Sequence, residues 1–273
     1  HCIEIYLPTA FFNTLSVGLR EKIEPFIHLY HTSVPKADIA FSIGGDGTFL
    51  RTAAEIAHSN IPILGINTGR LGFLADIKFE DLDETLSEIF NNNYRLEERM
   101  LLRTNAVNSS VDGAKISVDF SNYSLNEVAV LKQDTSSMLT IHAFIDNEYL
   151  TSYQADGLVV ATPTGSTAYS LSIGGPIMVP TAPNIILTAI APHSLNSRPL
   201  VVDSSSKIRL EIESRSDNYL VSLDGVSQTL SADTVLEICK ADYVQPVVKR
   251  RGHTFFETLR NKLMWGADIR SSR

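Results

Sequence analysis

Apolar and polar positions change their period along this chain, and the changes divide it. Short apolar runs at Cys2 to Tyr6, Ala40 to Ile43 and Ile61 to Ile66 read as buried strands. Between the last two, Leu50, Ala53, Ala54 and Ala57 fall at i, i+3, i+4 and i+7, which predicts a helix from Thr48 to His58. Leu82, Leu86, Ile89 and Phe90 repeat at helical spacing, and Asn91 to Asn93 supply a stop. This β-α-β-α order predicts an open, mostly parallel, Rossmann-like sheet with helices on its faces.

After about Tyr94 the period shortens. Ile116 to Phe120, Leu125 to Leu131, Leu139 to Ile145, Leu158 to Ala161, Ile185 to Ala191, Ile208 to Ile212 and Val235 to Ile238 read as strands. In one of them Ile208, Leu210 and Ile212 alternate with Lys207, Arg209 and Glu211. Asp146-Asn147 and Asp224-Gly225 are hairpin-turn candidates. The end returns to helix. Thr254 and Glu257 match a capping box, and Phe255, Leu259 and Leu263 form an apolar stripe that needs a surface to cover. The expected organisation is an α/β domain from residues 1–96 plus 252–273, and a β-rich, sandwich-like domain over 97–251. The closing helix is expected to return to the first domain.

Composition narrows the classes. The chain of 273 residues is 44% hydrophobic and 20% charged, enough apolar material for a sizeable core. Its formal net charge of -8 argues against a general nucleic-acid binder, while leaving room for a local cationic pocket. Two cysteines, Cys2 and Cys239, form no CxxC or Cys/His cluster, so neither a zinc site nor a disulfide framework is indicated. No run of about 18 apolar residues suggests a membrane helix, and no leader is visible, so a cytoplasmic protein is expected.

Gly44-Gly45-Asp46-Gly47-Thr48 lies between an apolar strand and a helix. Glycines there let an anion approach the backbone, and a helix N-terminus offers free N–H groups to it. Asp46 is out of place in a pure phosphate cradle, because a carboxylate repels phosphate. It suggests a second task, either binding a divalent metal such as Mg²⁺ or taking a proton from an attacking hydroxyl. The bland alternative is a tight turn without chemistry. The second informative stretch runs from Asp156 to Ser170: an apolar strand entering a loop dense in hydroxyls, then Gly174-Gly175-Pro176. Such a loop suits a ligand with ribose, amide and phosphate groups, though Ser and Thr also serve as plain helix caps.

The GGDGT loop resembles one shared by NAD kinases, diacylglycerol-type lipid kinases and, more loosely, 6-phosphofructokinases. The string DG-x-x-x-x-TPTGSTAYS from Asp156 to Ser170 resembles the NAD kinase signature in particular. Further segments resemble that family: Asn67 to Leu74, Leu125 to Val128, Pro192 to Pro199, Glu97 to Leu101, and Phe255 to Gly266. The resemblance implies phosphorylation of the adenosine ribose of NAD, with ATP as donor and a divalent metal, in a homodimer or homotetramer. It gives Asp46 the role of general base. Gly44, Gly45 and Gly47 would hold the donor's phosphates. Asn126 and Glu127 would bind the ribose and base region of NAD. Asp156, Thr164, Thr167, Ala168, Tyr169 and Ser172 would line the NAD pocket. Asp224 falls where the family often brings a residue from a neighbouring subunit, and its reading as an Asp-Gly turn stands beside that. His193 receives no role.

Two departures stand out. Many bacterial relatives place an arginine shortly before the DG of the signature, where this chain has Tyr153-Gln154-Ala155. The family also opens with a β-α unit ahead of the segment seen at Cys2, so a shortened N-terminus is expected. A lipid kinase, with an apolar groove and membrane association, and a regulatory NAD-binding module without transfer are the competing readings. The polar TPTGSTAYS loop speaks against the first and the intact GGDGT loop against the second.

Overall fold

The computed structural model describes residues 3–69, 72–108, 122–133 and 138–264. The chain opens with β1 (Ile5–Pro8), α1 (Thr9–Phe12), α2 (Val17–Ile23), β2 (Ile27–Tyr30), β3 (Ala40–Gly44), α3 (Asp46–Glu55), β4 (Ile63–Asn67), β5 (Ile77–Lys78) and α4 (Leu82–Phe90). Then come β6 (Tyr94–Asn108), β7 (Tyr123–Ser124), β8 (Glu127–Leu131), β9 (Leu139–Ile145), β10 (Glu148–Ala155), β11 (Gly157–Ala161) and α5 (Tyr169–Ser172). The last elements are β12 (Asn184–Ile190), β13 (Leu200–Asp203), β14 (Ile208–Glu213), β15 (Asn218–Leu223), β16 (Val226–Ser231), β17 (Thr234–Arg250) and α6 (Phe255–Leu263).

The expected parallel sheet is present in β3, β4 and β5, with β17 joining β4 in parallel at Val247 and Ile63. Helices cover both faces. Phe49 and Ala53 of α3, with Ile56 just after it, pack with Ile63 and Val247 on one side, while Leu82 and Ile89 of α4 pack with Leu64, Ile66 and Val248 on the other. That double cover explains why β4 is buried at every position. The helix after the glycine loop starts at Asp46, ahead of the expected Thr48, and its buried face differs from the expected stripe. Phe49 turns inward and Ala54 faces solvent, because one large ring outweighs several alanine methyls in setting the buried side. The first strand sits at Ile5–Pro8, later than expected, and pairs with β2 in a separate two-stranded parallel sheet. Cys2, Arg70, Leu71, the expected strand from Ile116 to Phe120, and Trp265-Gly266 lie outside the described residues.

The β-rich part is a sandwich. One layer runs β13-β12-β11-β8-β15-β16; the other contains β10, β9, β14, β17 and β6. Alternate residues of both layers interlock, among them Val128, Ile141, Leu158, Leu187, Leu210 and the fully buried Tyr219. The outer face of β8, β11 and β12 is covered in turn by Tyr169, Ile173 and Met178. Both expected hairpins form. Positive φ at Asp146 and Asn147, and at Asp224 and Gly225, marks two-residue turns whose twist suits the strands they join.

The longest strands were the least apparent. Val235 to Ile238 is only a fragment of β17, which pairs with β6 from Thr234 to Arg250 across a register shift between Lys240 and Val244. This ribbon joins β14 near one end and β4 near the other, making one continuous sheet from the two parts of the molecule. Pro246 is tolerated in it because, among the described residues, no strand pairs with the second edge of β17 between Ile238 and Val247. At the end of the chain, Thr254 caps α6 by accepting a hydrogen bond from the Glu257 N–H at 3.2 Å. The helix lies over the segment before β5, with Lys262 Nζ 5.5 Å from the centre of the Phe73 ring.

Candidate active site

The glycine loop closes β3 and starts α3. A Cβ on Gly44 would run into the Thr48 side chain, so that glycine serves the turn itself. At Gly45 and Gly47 a Cβ would meet nothing within 4 Å, so the loop stays open toward solvent at the first turn of the helix. The Gly45 carbonyl accepts from the N–H groups of Thr48 and Phe49. The helix N-terminus thus presents its partial positive charge at an unobstructed surface, as anion binding requires.

Asp46 reaches across to the strand-preceding loop. Its Oδ2 accepts from the Phe73 N–H at 2.9 Å, and its Oδ1 from Leu74 and Ala75 N–H at 3.0 Å each. Of the four lone-pair positions on a carboxylate, one on Oδ2 is left for a proton or a ligand. Gly72 is fixed by the same contact, since a Cβ there would collide with the Asp46 carboxylate. Asp46 is therefore a clamp on the 72–75 segment as well as a candidate base, a structural duty that its spacing in sequence does not reveal.

The hydroxyl-rich loop follows β11. Thr162 Oγ1 donates to the Leu125 carbonyl at 2.6 Å and accepts from the Gly165 N–H at 3.0 Å. Gly165 rests against the Asn126 backbone and leaves no space for a side chain. Thr164 is buried and accepts from Arg99 Nη1 at 3.2 Å. Thr167 Oγ1 donates to the Thr164 carbonyl, and Ser172 Oγ to the Tyr169 carbonyl, so part of the hydroxyl wealth is spent on shaping the loop. Ala168 caps α5 and Tyr169 begins it; Tyr169 is half-buried, Ser172 exposed.

Asn126 and Glu127 start β8 beside this loop. Asp224, at the turn after β15, accepts from the N–H groups of Leu125, Asn126 and Glu127 at 2.6, 2.8 and 3.0 Å. It acts within its own chain as the clamp of the Asn-Glu segment. Burial pushes the Glu127 carboxyl up to about 8, with the neighbouring Asp224 charge adding to it and the Tyr169 N–H opposing it. Burial also raises Asp224, against the three N–H groups that favour its charge. Two carboxyls in one crevice, one without a partner for Oε2, hold a proton near neutral pH.

Asp156 stands apart. It precedes β11, pairs with Lys132 at 2.6 Å, and the whole of that strand, roughly 20 Å, separates it from Thr162. All other site residues named from the sequence gather at the opposite strand end or on the glycine loop. His193 donates its backbone N–H to the Gln154 carbonyl.

The two loops are tied together by buried charges that sequence inspection did not single out. Asp76, next after the segment clamped by Asp46, meets Lys249 Nζ at 2.6 Å and His253 Nδ1 at 3.4 Å. Burial pushes the Asp76 carboxyl up, but Lys249 and His253 outweigh it and hold it below its ordinary value. His253 is raised by its bond to Asp76. Glu97 pairs with Arg99, whose guanidinium continues to Thr164. Phe73, Asp76, Arg99, Lys249 and His253 line one small cavity under α6. Leu125, beside Asn126, shares a core with Phe49 of α3. The signal available in sequence was a lone carboxylate at Asp76, after the apolar Phe73 to Ala75; Lys249 opens the basic run Lys249-Arg250-Arg251 and carries no such mark. Among the described residues no three His, Cys, Asp or Glu side chains are grouped to hold a metal.

Known proteins share this fold. A model of the ATP-NAD kinase N-terminal domain matches residues 28–94, and one of the ATP-NAD kinase C-terminal domain matches residues 125–250. The chain is 53% identical over 234 residues to an NAD kinase of Bacteroides fragilis, covering 86% of this chain and 78% of that protein. It is 49% identical over 233 residues to an NAD kinase of Porphyromonas gingivalis, covering 85% and 78%. Among solved structures, yeast NADH kinase complexed with NADH superposes with a TM-score of 0.83 at 25% identity, over 99% of this chain and 90% of that one. An NAD kinase from Archaeoglobus fulgidus in complex with ATP gives 0.71 at 26% identity, over 96% and 98%.

Proposed function

The chain belongs to the NAD kinase family, and from that premise we propose that it transfers the γ-phosphoryl group of ATP to the 2′-hydroxyl of the adenosine ribose of NAD, giving NADP and ADP. The observation that carries the reading is the link between its two loops. The Asp46 clamp and the Asp76–Lys249 pair extend from the phosphate-type loop, the Glu97–Arg99–Thr164 contacts extend from the hydroxyl-rich loop, and the two sets meet around one small cavity lined by Asp76, Glu97, Arg99 and Lys249.

In this reaction the 2′-oxygen forms a bond to the γ-phosphorus while the bond from γ-phosphorus to the bridging oxygen breaks, and ADP departs. The proton of the 2′-hydroxyl goes to Asp46, whose open acceptor position on Oδ2 faces no backbone donor. Gly44, Gly45 and Gly47 give the donor's phosphates their approach to the start of α3. Asn126 and Glu127 hold ribose hydroxyls, and Thr164, Thr167, Ala168, Tyr169 and Ser172 shape the NAD pocket. A bound Mg²⁺ would supply charge neutralisation on the phosphates. No side chain is assigned to the ion, because the one open acceptor position of Asp46 is given to the proton.

Asp156 enters such a pocket only if a second copy supplies it, since roughly 20 Å of strand separates it from Thr162. A homodimer or homotetramer with shared sites would meet this requirement, and a cytoplasmic location suits the use of NAD and ATP. The division at 1–96 plus 252–273 and 97–251 then separates donor-binding and NAD-binding parts. Phosphorus NMR of the product of NAD, ATP and Mg²⁺ is the test: a 2′-phosphomonoester supports the assignment, and a phosphate at any other position removes it.

A further inference from the structure

A cavity of about 400 Å³ opens beside the glycine loop, lined by Asn67, Thr68, Gly69, Lys78, Phe79 and Glu80. Its position follows from the sheet. Gly44 pairs with Asn67 and Asn67 with Lys78, so the carboxyl ends of β3, β4 and β5 stand side by side. Ligands of open α/β sheets bind outside such carboxyl ends. Two strand spacings put the Lys78 backbone roughly 10 Å from Gly44, a separation that a triphosphate chain bridges.

The lining is not explained by the core. Phe79 is 59% exposed although it sits next to the buried Ile77. Lys78 is exposed and forms no ion pair among the described residues, in a chain with a surplus of acidic groups. Asn67 Oδ1 accepts from the Gly69 N–H at 2.7 Å, which fixes the rim between them. A Cβ on Gly69 would meet nothing within 4 Å, so that wall too is open. A cation, an exposed ring and a carboxylate acceptor at Glu80 thus surround a space within the usual range for small-molecule sites. Those groups match a phosphate, a base and ribose hydroxyls respectively.

We propose that Lys78 and Phe79 are the donor-specificity residues of this kinase: Lys78 binds a phosphate of a nucleoside triphosphate, and Phe79 carries its base. The assignment rests on the kinase reading above and deepens it. A nucleotide donor would meet both residues, whereas inorganic polyphosphate has phosphates for Lys78 but no base for Phe79.

The test uses the full chain, with Lys78→Met and Phe79→Ala as variants checked for unchanged thermal midpoints. Steady-state kinetics with ATP and NAD are combined with ATP binding by titration calorimetry, and with inorganic tripolyphosphate as a competitor of ATP. Lys78→Met should raise the KM and Kd for ATP by about tenfold, and weaken tripolyphosphate inhibition alike. Phe79→Ala should weaken ATP several-fold while leaving tripolyphosphate inhibition unchanged. KM for NAD should stay the same in both. ATP binding at the unaltered strength in Lys78→Met, or an equal rise in KM for NAD, overturns the assignment. A chain that binds ATP through Lys78 yet forms no NADP overturns the kinase reading instead and leaves the subsite standing.

Discussion

Asp46 and Asp224 hold the two halves of the site by the same device. Each carboxylate accepts hydrogen bonds from three consecutive backbone N–H groups, Asp46 from 73–75 and Asp224 from 125–127. Such triple acceptance fixes a turn of chain against a distant element, and it makes both residues intolerant of an amide.

Asp46→Asn should therefore have two effects. An NH₂ group in place of one oxygen faces a backbone donor, and a lost bond of this kind costs ~1–3 kcal/mol. Removal of the base lowers turnover by ~10² or more. Thermal unfolding and kcat measured on the same sample check both; an unchanged melting temperature would remove the clamp, and near-normal turnover would remove the base.

Asp224→Asn should destabilise the start of β8 by a similar ~1–3 kcal/mol and raise the Kd for NAD, because Asn126 and Glu127 lose their anchor. Urea denaturation together with NAD titration reads both quantities. If stability falls while NAD affinity holds, the 125–127 segment does not serve the ligand.

Glu127 makes a pH-dependent contribution. Its folded-state value, about 8, lies above its ordinary 4.5. The folded chain therefore binds a proton that the unfolded chain has released, and stability falls as pH rises from about 4.5 to about 8. Glu127→Gln carries no such penalty. Relative to the parent chain, the variant should gain stability between pH 5 and pH 8.5 (approximate limits of that window), as scanning calorimetry would register. A constant difference across that range contradicts the buried-acid account.

Lys249 and Asp76 are both nearly inaccessible, with side chains 6% exposed. Removing one member of such a pair leaves an uncompensated buried charge, at a cost of ~3–5 kcal/mol. Lys249→Met should lose that much at neutral pH and recover part of it in Asp76→Asn/Lys249→Met, the double variant that removes both charges. Chemical denaturation of the three variants decides the matter, since additive losses would mean that the pair is not coupled.

The parts of this protein legible in its sequence are those dictated by local rules. β9, the two hairpin turns and the Thr254 cap depend on neighbours within a few residues, and they stand where pattern placed them. The glycine loop and the hydroxyl-rich loop were visible for the same reason. What stayed hidden depends on distant partners. β6 and β17 mix charges with apolar residues because they serve two layers at once. Phe49 sets the buried side of α3 through a core that includes Leu125 and Val247. The second duty of Asp46 appears only when the 72–75 segment is folded against it.

The central claim is transfer of phosphate from ATP to NAD with Asp46 as the key side chain. Its most direct test incubates the purified chain and its Asp46→Asn variant with NAD, ATP and Mg²⁺, and follows NADP with an NADP-specific dehydrogenase. The account predicts NADP from the parent chain and at least ~10²-fold less from the variant. A folded parent chain that binds both substrates and forms no NADP contradicts it.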